Sequence, residues 1–374
     1  MKKSIFLLLT IILLVSCEHN KAISHRGKKI NDKYHLEAVD SIYLEADSIS
    51  GNGNFYLKDS VLTFADMTLC SLFQFDLNGN FLQKKLQKGN ARNEIPALLY
   101  AYPINNSKDR TFIVDNSNFI YVLDDKKTDI VKVGRIDFGW DGSFNGYDSP
   151  SLYNLMFMTD FGMNITAVND STWMLPISII DSYLGKKITD ERYKKGHIFA
   201  EMDAKTFKVK KVFGKFPNIY KEKPSTLFEF FQYSKCNDTV YVNHAVDSLI
   251  YVYKYPDKLL YTMGYELNGA NRKYSSHLSA DHSAFKEEAI KISLNTGIYC
   301  DNGFIIRSIM KSMQTGETYL QFYLHENLVS EFKVPSMFHY LGYWKGFYYG
   351  VSFVPITKNN KQYFVLYKLK ITEA

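Results

Sequence analysis

From Leu36 onward the chain reads as short apolar runs broken by polar turns. The pattern is set by Asp59 to Asp66 (D-S-V-L-T-F-A-D), a polar pair that leads straight into an apolar, β-branched run. Five later stretches repeat it, starting at Asp109 (D-R-T-F-I-V-D), Asp170 (D-S-T-W-M-L-P), Asp238 (D-T-V-Y-V-N), Asn302 (N-G-F-I-I-R) and Lys345 (K-G-F-Y-Y-G-V). These turns lie 50, 61, 68, 64 and 43 residues apart, an uneven period that marks a repeat architecture.

Around the first turn, Asn54 to Leu57, Val61 to Ala65, Leu69 to Asp76 and Phe81 to Leu86 read as four antiparallel strands. The last two are joined by Asp76-Leu77-Asn78-Gly79, a tight hairpin signal in which glycine supplies positive φ. The same later hairpin recurs at Asp124 to Thr128, Asp203 to Thr206, Tyr255 to Lys258 and His325 to Asn327. Runs such as Thr111 to Val114 and Phe304 to Ile306 are apolar without alternation, so both of their faces call for cover. Six such units predict an all-β fold, a six-bladed β-propeller of four-stranded antiparallel blades. The last unit offers only three strands, Phe338 to Trp344, Phe347 to Val354 and Tyr363 to Ile371. An open blade edge invites aggregation, so Leu36 to Leu44 is expected to supply the fourth strand and close the ring.

Two insertions interrupt the rhythm. Gly139 to Phe161 carries Trp140, Tyr147, Tyr153, Phe157 and Phe161, and Asp181 to Gly196 carries Lys186, Lys187, Arg192, Lys194 and Lys195. A third break, Asp281 to Leu294, has Phe285, Ala289 and Ile292 at helical spacing behind a possible Asp281 cap, and predicts one short helix.

At the N-terminal end, Lys2-Lys3 precedes an apolar run from Ile5 to Val15 that closes on Leu14-Val15-Ser16-Cys17. The run is too short for a hydrocarbon core, which needs about 20 residues, so it reads as a signal peptide. Its ending resembles a bacterial lipobox. That resemblance implies cleavage before Cys17, acylation of the Cys17 sulfur, and attachment to a membrane through that lipid. The expected organisation is therefore signal peptide 1–16, flexible tether 17–33 and propeller 34–374. The mature chain keeps 358 residues (374 − 16), enough for a large core without cross-links. Without Lys2 and Lys3 it has 43 basic against 39 acidic side chains, a mild excess that points to no nucleic-acid partner. Cys70, Cys236 and Cys300 lie in or beside apolar runs, show no metal spacing, and read as buried free thiols, with one disulfide as the alternative.

Local catalytic signals are missing: no nucleophile elbow, zinc-helix, phosphate-loop, dinucleotide or EF-hand pattern occurs. No catalytic residue, metal site or cofactor is assigned. His277, Asp281 and His282, with Glu287 and Glu288, are the densest set of possible ligands, but the two histidines are five apart and read as solvated surface. The basic stretch Lys186 to Lys195 is diluted by Asp190 and Glu191 and reads as a solvated loop. Most of the 28 Tyr and 27 Phe must fill the space between blades. Trp140 and Tyr147, in the polar stretch G-W-D-G-S-F-N-G-Y-D, are the candidate ligand-binding rings. A site inside the channel would instead recruit residues from several blades, for which His244, Asp115 and Arg307 are candidates.

The stretch Phe73-Gln74-Phe75-Asp76-Leu77-Asn78-Gly79-Asn80-Phe81, followed by Gln87-Lys88-Gly89-Asn90-Ala91-Arg92-Asn93-Glu94, resembles the six-bladed, TolB-like or NHL-like propeller lipoproteins of Bacteroidetes envelopes. Lys88, Gly89 and Glu94 match the Lys-Gly-x-Gly-Pro-x-Glu pattern of those relatives, and Ala91 and Arg92 depart from it. In such lipoproteins an acidic run after the cysteine marks surface export; here Glu18 alone fits, so the periplasmic or surface face stays open. The resemblance covers families of unknown function and implies an envelope lipoprotein, at the outer membrane. The expected function is a binding or scaffold module for a glycan, peptide or protein partner. A channel-site hydrolase or lyase acting on sugars or lactones is the alternative.

Overall fold

The structure is a computed structural model and describes residues 24–374 apart from 31–32, 46–48, 106, 108, 116, 142–144, 157–163, 181–190, 227, 276–286 and 359–360. Six antiparallel sheets follow one another along the chain and form the blades of a propeller. Blade 1 comprises Gly53–Lys58, Val61–Asp66, Ser71–Asp76 and Phe81–Lys85, and blade 2 comprises Tyr100–Pro103, Arg110–Val114, Phe119–Asp124 and Asp129–Arg135. Blade 4 (Phe231–Cys236 to Lys258–Met263) and blade 5 (Leu294–Asp301 to Asn327–Val334) have the same four-stranded form.

The repeated turns form because two-residue hairpin loops match strand twist when they adopt positive φ. The turn opens on Asp59, Asp109, Asn237, Asn302 and Lys345, whose φ values are 54°, 58°, 53°, 48° and 44°. Asp and Asn tolerate this region because their short side chains bond the local backbone. Burial follows the expected layering. The second strand of blade 5 is buried throughout, whereas the fourth strand of blade 1 is exposed at four of its five positions.

Ring closure is made by the N-terminal strand. Tyr34–Glu45 pairs antiparallel with Lys361–Glu373, completing blade 6 beside Phe338–Trp344 and Phe347–Lys358. Aromatic side chains then fill the wedges between blades: Phe112 meets Trp173 at 5.9 Å, Phe199 meets Phe231 at 5.2 Å, and Phe55 of blade 1 meets Phe364 of blade 6 at 5.2 Å. Asparagine amides stitch neighbouring blades together: Asn54 Nδ2 donates to the Ala101 carbonyl at 2.9 Å, and Asn243 Nδ2 to that of Gly297 at 3.2 Å.

Three features differ from the sequence reading. Blade 3 has a fifth strand, because its long strand Thr172–Ile179 pairs with Thr166–Asn169 over one half and with Tyr153–Leu155 over the other. That extra strand lies inside the stretch read as the first aromatic insertion. Second, Cys236 and Cys300 are joined in a disulfide, while Cys70 is free and buried, which corrects the expectation of three free thiols. Cys236 is the last and Cys300 the penultimate residue of the innermost strands of successive blades, and the ring brings their Cα atoms to 6.3 Å across a separation of 64 residues. A link across a loop of that length contributes about 2–4 kcal/mol. Cys236→Ser is therefore expected to lower the melting temperature by a few degrees. Dithiothreitol should do the same to the parent; a melting curve indifferent to both changes would show that the bond carries no stability.

Third, part of the stretch expected to be a tether lies along the fold. Residues 24–30 run across the outer strands of blades 4 and 5, with Arg26 N donating to the Thr262 carbonyl at 2.8 Å and Ile30 N to that of Leu328 at 2.8 Å. The Arg26 guanidinium covers the Tyr261 ring at 4.4 Å. Of the helix expected from Asp281 onward, residues 287–289 are helical and Ala289 and Ile292 are buried, while Asp281 and Phe285 fall outside the described residues.

Candidate functional site

In each blade the innermost strand runs toward the face that carries the repeated turns, and in blades 1, 2, 4, 5 and 6 its last residues converge on one cavity near the ring axis. There they enclose a funnel of about 330 Å³, lined among others by Tyr102 of blade 2, Lys235 of blade 4, Tyr299 and Asp301 of blade 5, and His339 and Tyr343 of blade 6. The Cys236–Cys300 disulfide bridges neighbouring strands at this rim, and Cys300 lines it.

Asp301 is the focus of the wall. Strand alternation places Tyr299 and Asp301 on the same side of Leu294–Asp301. Gly297 precedes them on that side, and the Tyr299 ring lies so close over it that an added Cβ would meet the Tyr299 hydroxyl at 2.5 Å. The Tyr299 and Tyr340 rings are 4.6 Å apart, and Tyr343 packs on Tyr348 at 5.0 Å. The Tyr340 hydroxyl donates to Asp301 Oδ2 at 2.8 Å. Among the described residues no basic side chain pairs with Asp301. Burial pushes its carboxyl up to about 6, opposed only by the Tyr340 hydrogen bond. Burial likewise pushes His339 down to about 4, so that imidazole is neutral at pH 7. Lys235 is turned aside: its ammonium donates to the Asn237 carbonyl and sits over the Tyr255 ring at 5.7 Å.

The residues singled out for a channel site do not meet there. Asp115, His244 and Arg307 lie on or just beyond second strands, one layer out from the axis, and none lines the funnel. Asp115 Oδ1 accepts from the backbone N–H groups of Ser117 (2.7 Å) and Phe119 (3.0 Å), which makes it a turn-forming residue. Arg307 is fully buried, and its guanidinium donates to Gln321 Oε1 (2.9 Å) and to the carbonyls of Ser248 (2.6 Å) and Tyr265. It ties blade 5 to the connection from blade 4. His244 is buried among Tyr220, Phe231 and Tyr251. Desolvation pushes its pKa down to about 3.

Trp140 and Tyr147 do not face the funnel either. Trp140 is 69% exposed in its loop, and Tyr147 is half-buried against the core, its carbonyl accepting from the Tyr153 hydroxyl at 2.7 Å. Lys186 and Lys187 of the basic insertion fall outside the described residues, as do Cys17, His277, Asp281 and His282. Arg192, counted with that insertion, is buried in the helix Glu191–Lys195 and paired with Glu229, so it is part of the core. Glu288 accepts from the Ser275 backbone N–H at 2.6 Å. Among the described residues no group of His, Cys, Asp and Glu has the arrangement of a metal site, and no helix is long and apolar enough to cross a membrane.

No family model and no curated protein matches this sequence. Solved structures do. A member of the DUF4221 family from Bacteroides vulgatus superposes with a TM-score of 0.68 at 15% identity, over 91% of this chain and 99% of that one. A candidate exported protein from Bacteroides fragilis superposes with a TM-score of 0.53 at 12% identity, over 94% and 98%. At these identities the likeness is one of fold.

Proposed function

We propose that this chain is a lipid-anchored, extracytoplasmic β-propeller of the cell envelope, at the outer membrane, that binds a partner at its funnel. The observation that carries the binding reading is the funnel itself: tyrosine rings, a histidine and the Asp301 carboxylate from several blades line one open volume. Concave sites that combine aromatic surface with a few polar groups are where folds hold ligands. Trp140 and Tyr147 provide a second, separate contact surface of the same module. A glycan, a peptide or an envelope protein is the class of partner considered, and no sequence or structural feature favours a reaction over binding.

The anchor reading rests on Leu14-Val15-Ser16-Cys17 and is supported by the resemblance in fold to a candidate exported protein. It also gives the funnel a direction. Ser24 accepts from Thr262 N, near the end of Lys258–Met263 that points away from the funnel face. Only seven residue steps separate Cys17 from Ser24, a reach of at most about 25 Å. A lipid on Cys17 would thus hold the opposite face toward the bilayer and leave the funnel open.

Two measurements test the reading. Cys17→Ala is expected to abolish labelling by palmitate and release the protein from the membrane fraction; a labelled, membrane-bound variant would overturn the anchor. A photoreactive phenylalanine analogue placed at Tyr343 is expected to capture partner in intact cells, while one at Val131, exposed on the outer strand of blade 2, is not. Capture at Trp140 alone would move the site to the loop, and capture at none of the three would overturn the binding reading.

A further inference from the structure

The chemistry of the funnel can be taken one step further, on the premise that it is the binding site. Asp301 is a largely buried carboxylate that, among the described residues, has one hydrogen-bond donor, the Tyr340 hydroxyl on Oδ2, and no basic partner. Buried carboxylates in folded proteins are ordinarily paired, because an uncompensated charge in a low-dielectric wall is costly. Here the compensation is withheld in a particular way. The lysine of the rim, Lys235, spends its ammonium on a backbone carbonyl and on the Tyr255 ring of its own blade. The nearest imidazole, His339, is held neutral by burial. Other charged groups of the rim are acidic, as at Asp59. The partly exposed Tyr299 and Tyr343 line the same funnel as the carboxylate, and tyrosine faces attract cations through the ring quadrupole. The shape of the site is therefore that of an acceptor for a small organic cation: one anionic oxygen, an aromatic wall, and, among the described residues, no basic side chain paired with the carboxylate.

We infer that the funnel binds an alkylammonium group, seated between the free oxygen of Asp301 and the rings of Tyr299 and Tyr343. Such a group could come from a lysine side chain or free terminus of a peptide, or from the amine of a de-acetylated amino sugar. Both present the same –NH₃⁺ donor, and both are changed by the same modification, since acetylation removes the charge and blocks the amine.

The test uses the full chain and two pairs of probes: tri-lysine against its fully N-acetylated form, and the glucosamine trisaccharide against the N-acetylglucosamine trisaccharide. Calorimetric titration is expected to show binding of at least one free amine, at least about tenfold tighter than its acetylated partner, the scale of one lost charged hydrogen bond. Which amine binds identifies the source. Asp301→Asn is expected to abolish that preference while raising the melting temperature at pH 7.5, because it removes a buried charge but keeps an acceptor for Tyr340. A carboxylate with a merely structural role would show the opposite, a lowered melting temperature. Tyr299→Leu, which leaves the carboxylate in place, is expected to weaken amine binding severalfold. Equal binding of free and acetylated probes, no binding of either amine, or undiminished amine binding by Asp301→Asn would overturn the inference. Capture of a partner at Tyr343 alongside any of those results would leave the funnel as the binding site and remove only the ammonium.

Discussion

Removing residues 34–45 is expected to abolish cooperative unfolding. This strand makes eleven register pairs with Lys361–Glu373 and is the outer strand of blade 6. It also spans two parts of the core. Leu44 is fully buried among residues of blades 1 and 6 with Ile42 packed beside it, while Tyr34 and Leu36 pack against the blade 5 and 6 cluster. The Tyr34 ring meets Phe304 at 5.4 Å, and Tyr34 N donates to Ser330 Oγ at 3.0 Å, so the strand joins blade 5 as well as completing blade 6. Leu44, fully buried, is worth on the order of 1.5–3 kcal/mol, and the half-buried Tyr34, Leu36 and Ile42 about half of that each. Their sum is a large share of the whole stability of a typical domain, about 5–15 kcal/mol. Deletion would also leave the 13 residues of Lys361–Glu373 as an open edge, which templates aggregation. Chemical denaturation followed by circular dichroism and by tyrosine fluorescence should then give broad, non-coincident transitions, and adding a peptide of residues 34–45 in trans should restore one sharp transition. A deletion variant that unfolds as sharply as the parent would show that the ring holds without its closing strand.

That closure was legible in the sequence for a physical reason: a propeller blade needs four strands, and the last unit has three. The turns were legible because a two-residue hairpin demands positive φ, and Asp, Asn and Gly recur where it is needed. The funnel was not legible. Its residues come one or two at a time from inner strands of different blades, and Tyr299 or Asp301 in Leu294–Asp301 looks like any other half-buried strand residue. A usable signal existed, namely a charged side chain immediately before a repeated turn, as at Asp301 before Asn302. The residues chosen instead, Asp115, His244 and Arg307, follow the most apolar runs, and those runs are second strands buried between blades. Their polarity answers to the core: Arg307 saturates carbonyls and Asp115 holds a turn. The disulfide was hidden for a related reason, since only the angular step between successive blades brings Cys236 to Cys300.

His244 gives the second large effect, through pH. Its imidazole is fully buried among three aromatic rings, and neither ring nitrogen has a hydrogen-bond partner among the described residues. Its pKa is pushed from 6.5 down to about 3 by desolvation. A basic group held neutral in the fold binds a proton more readily when unfolded, so its contribution is fully present above pH 6.5 and is lost as pH falls toward 3. Each pKa unit is worth about 1.4 kcal/mol, which makes the loss about 3 kcal/mol by pH 4. His339, pushed down to about 4, acts in the same direction. Asp301 opposes both. Its carboxyl is pushed up from 3.8 to about 6, so the folded state holds that proton more tightly, and stability is regained as pH falls from 6 toward 4. Difference measurements separate these groups from the surface carboxylates that titrate in the same range. His244→Phe, close in size and ringed by aromatic neighbours, is expected to gain on the parent by about 3 kcal/mol between pH 7 and pH 4, read from urea midpoints. Asp301→Asn should behave in the reverse sense, more stable than the parent at pH 7.5 by up to about 3 kcal/mol and level with it near pH 4. A His244→Phe advantage that does not change with pH would mean that the imidazole takes up protons equally in the folded and unfolded chain. An Asp301→Asn advantage that does not change would mean that the carboxyl in the funnel wall titrates alike in both states.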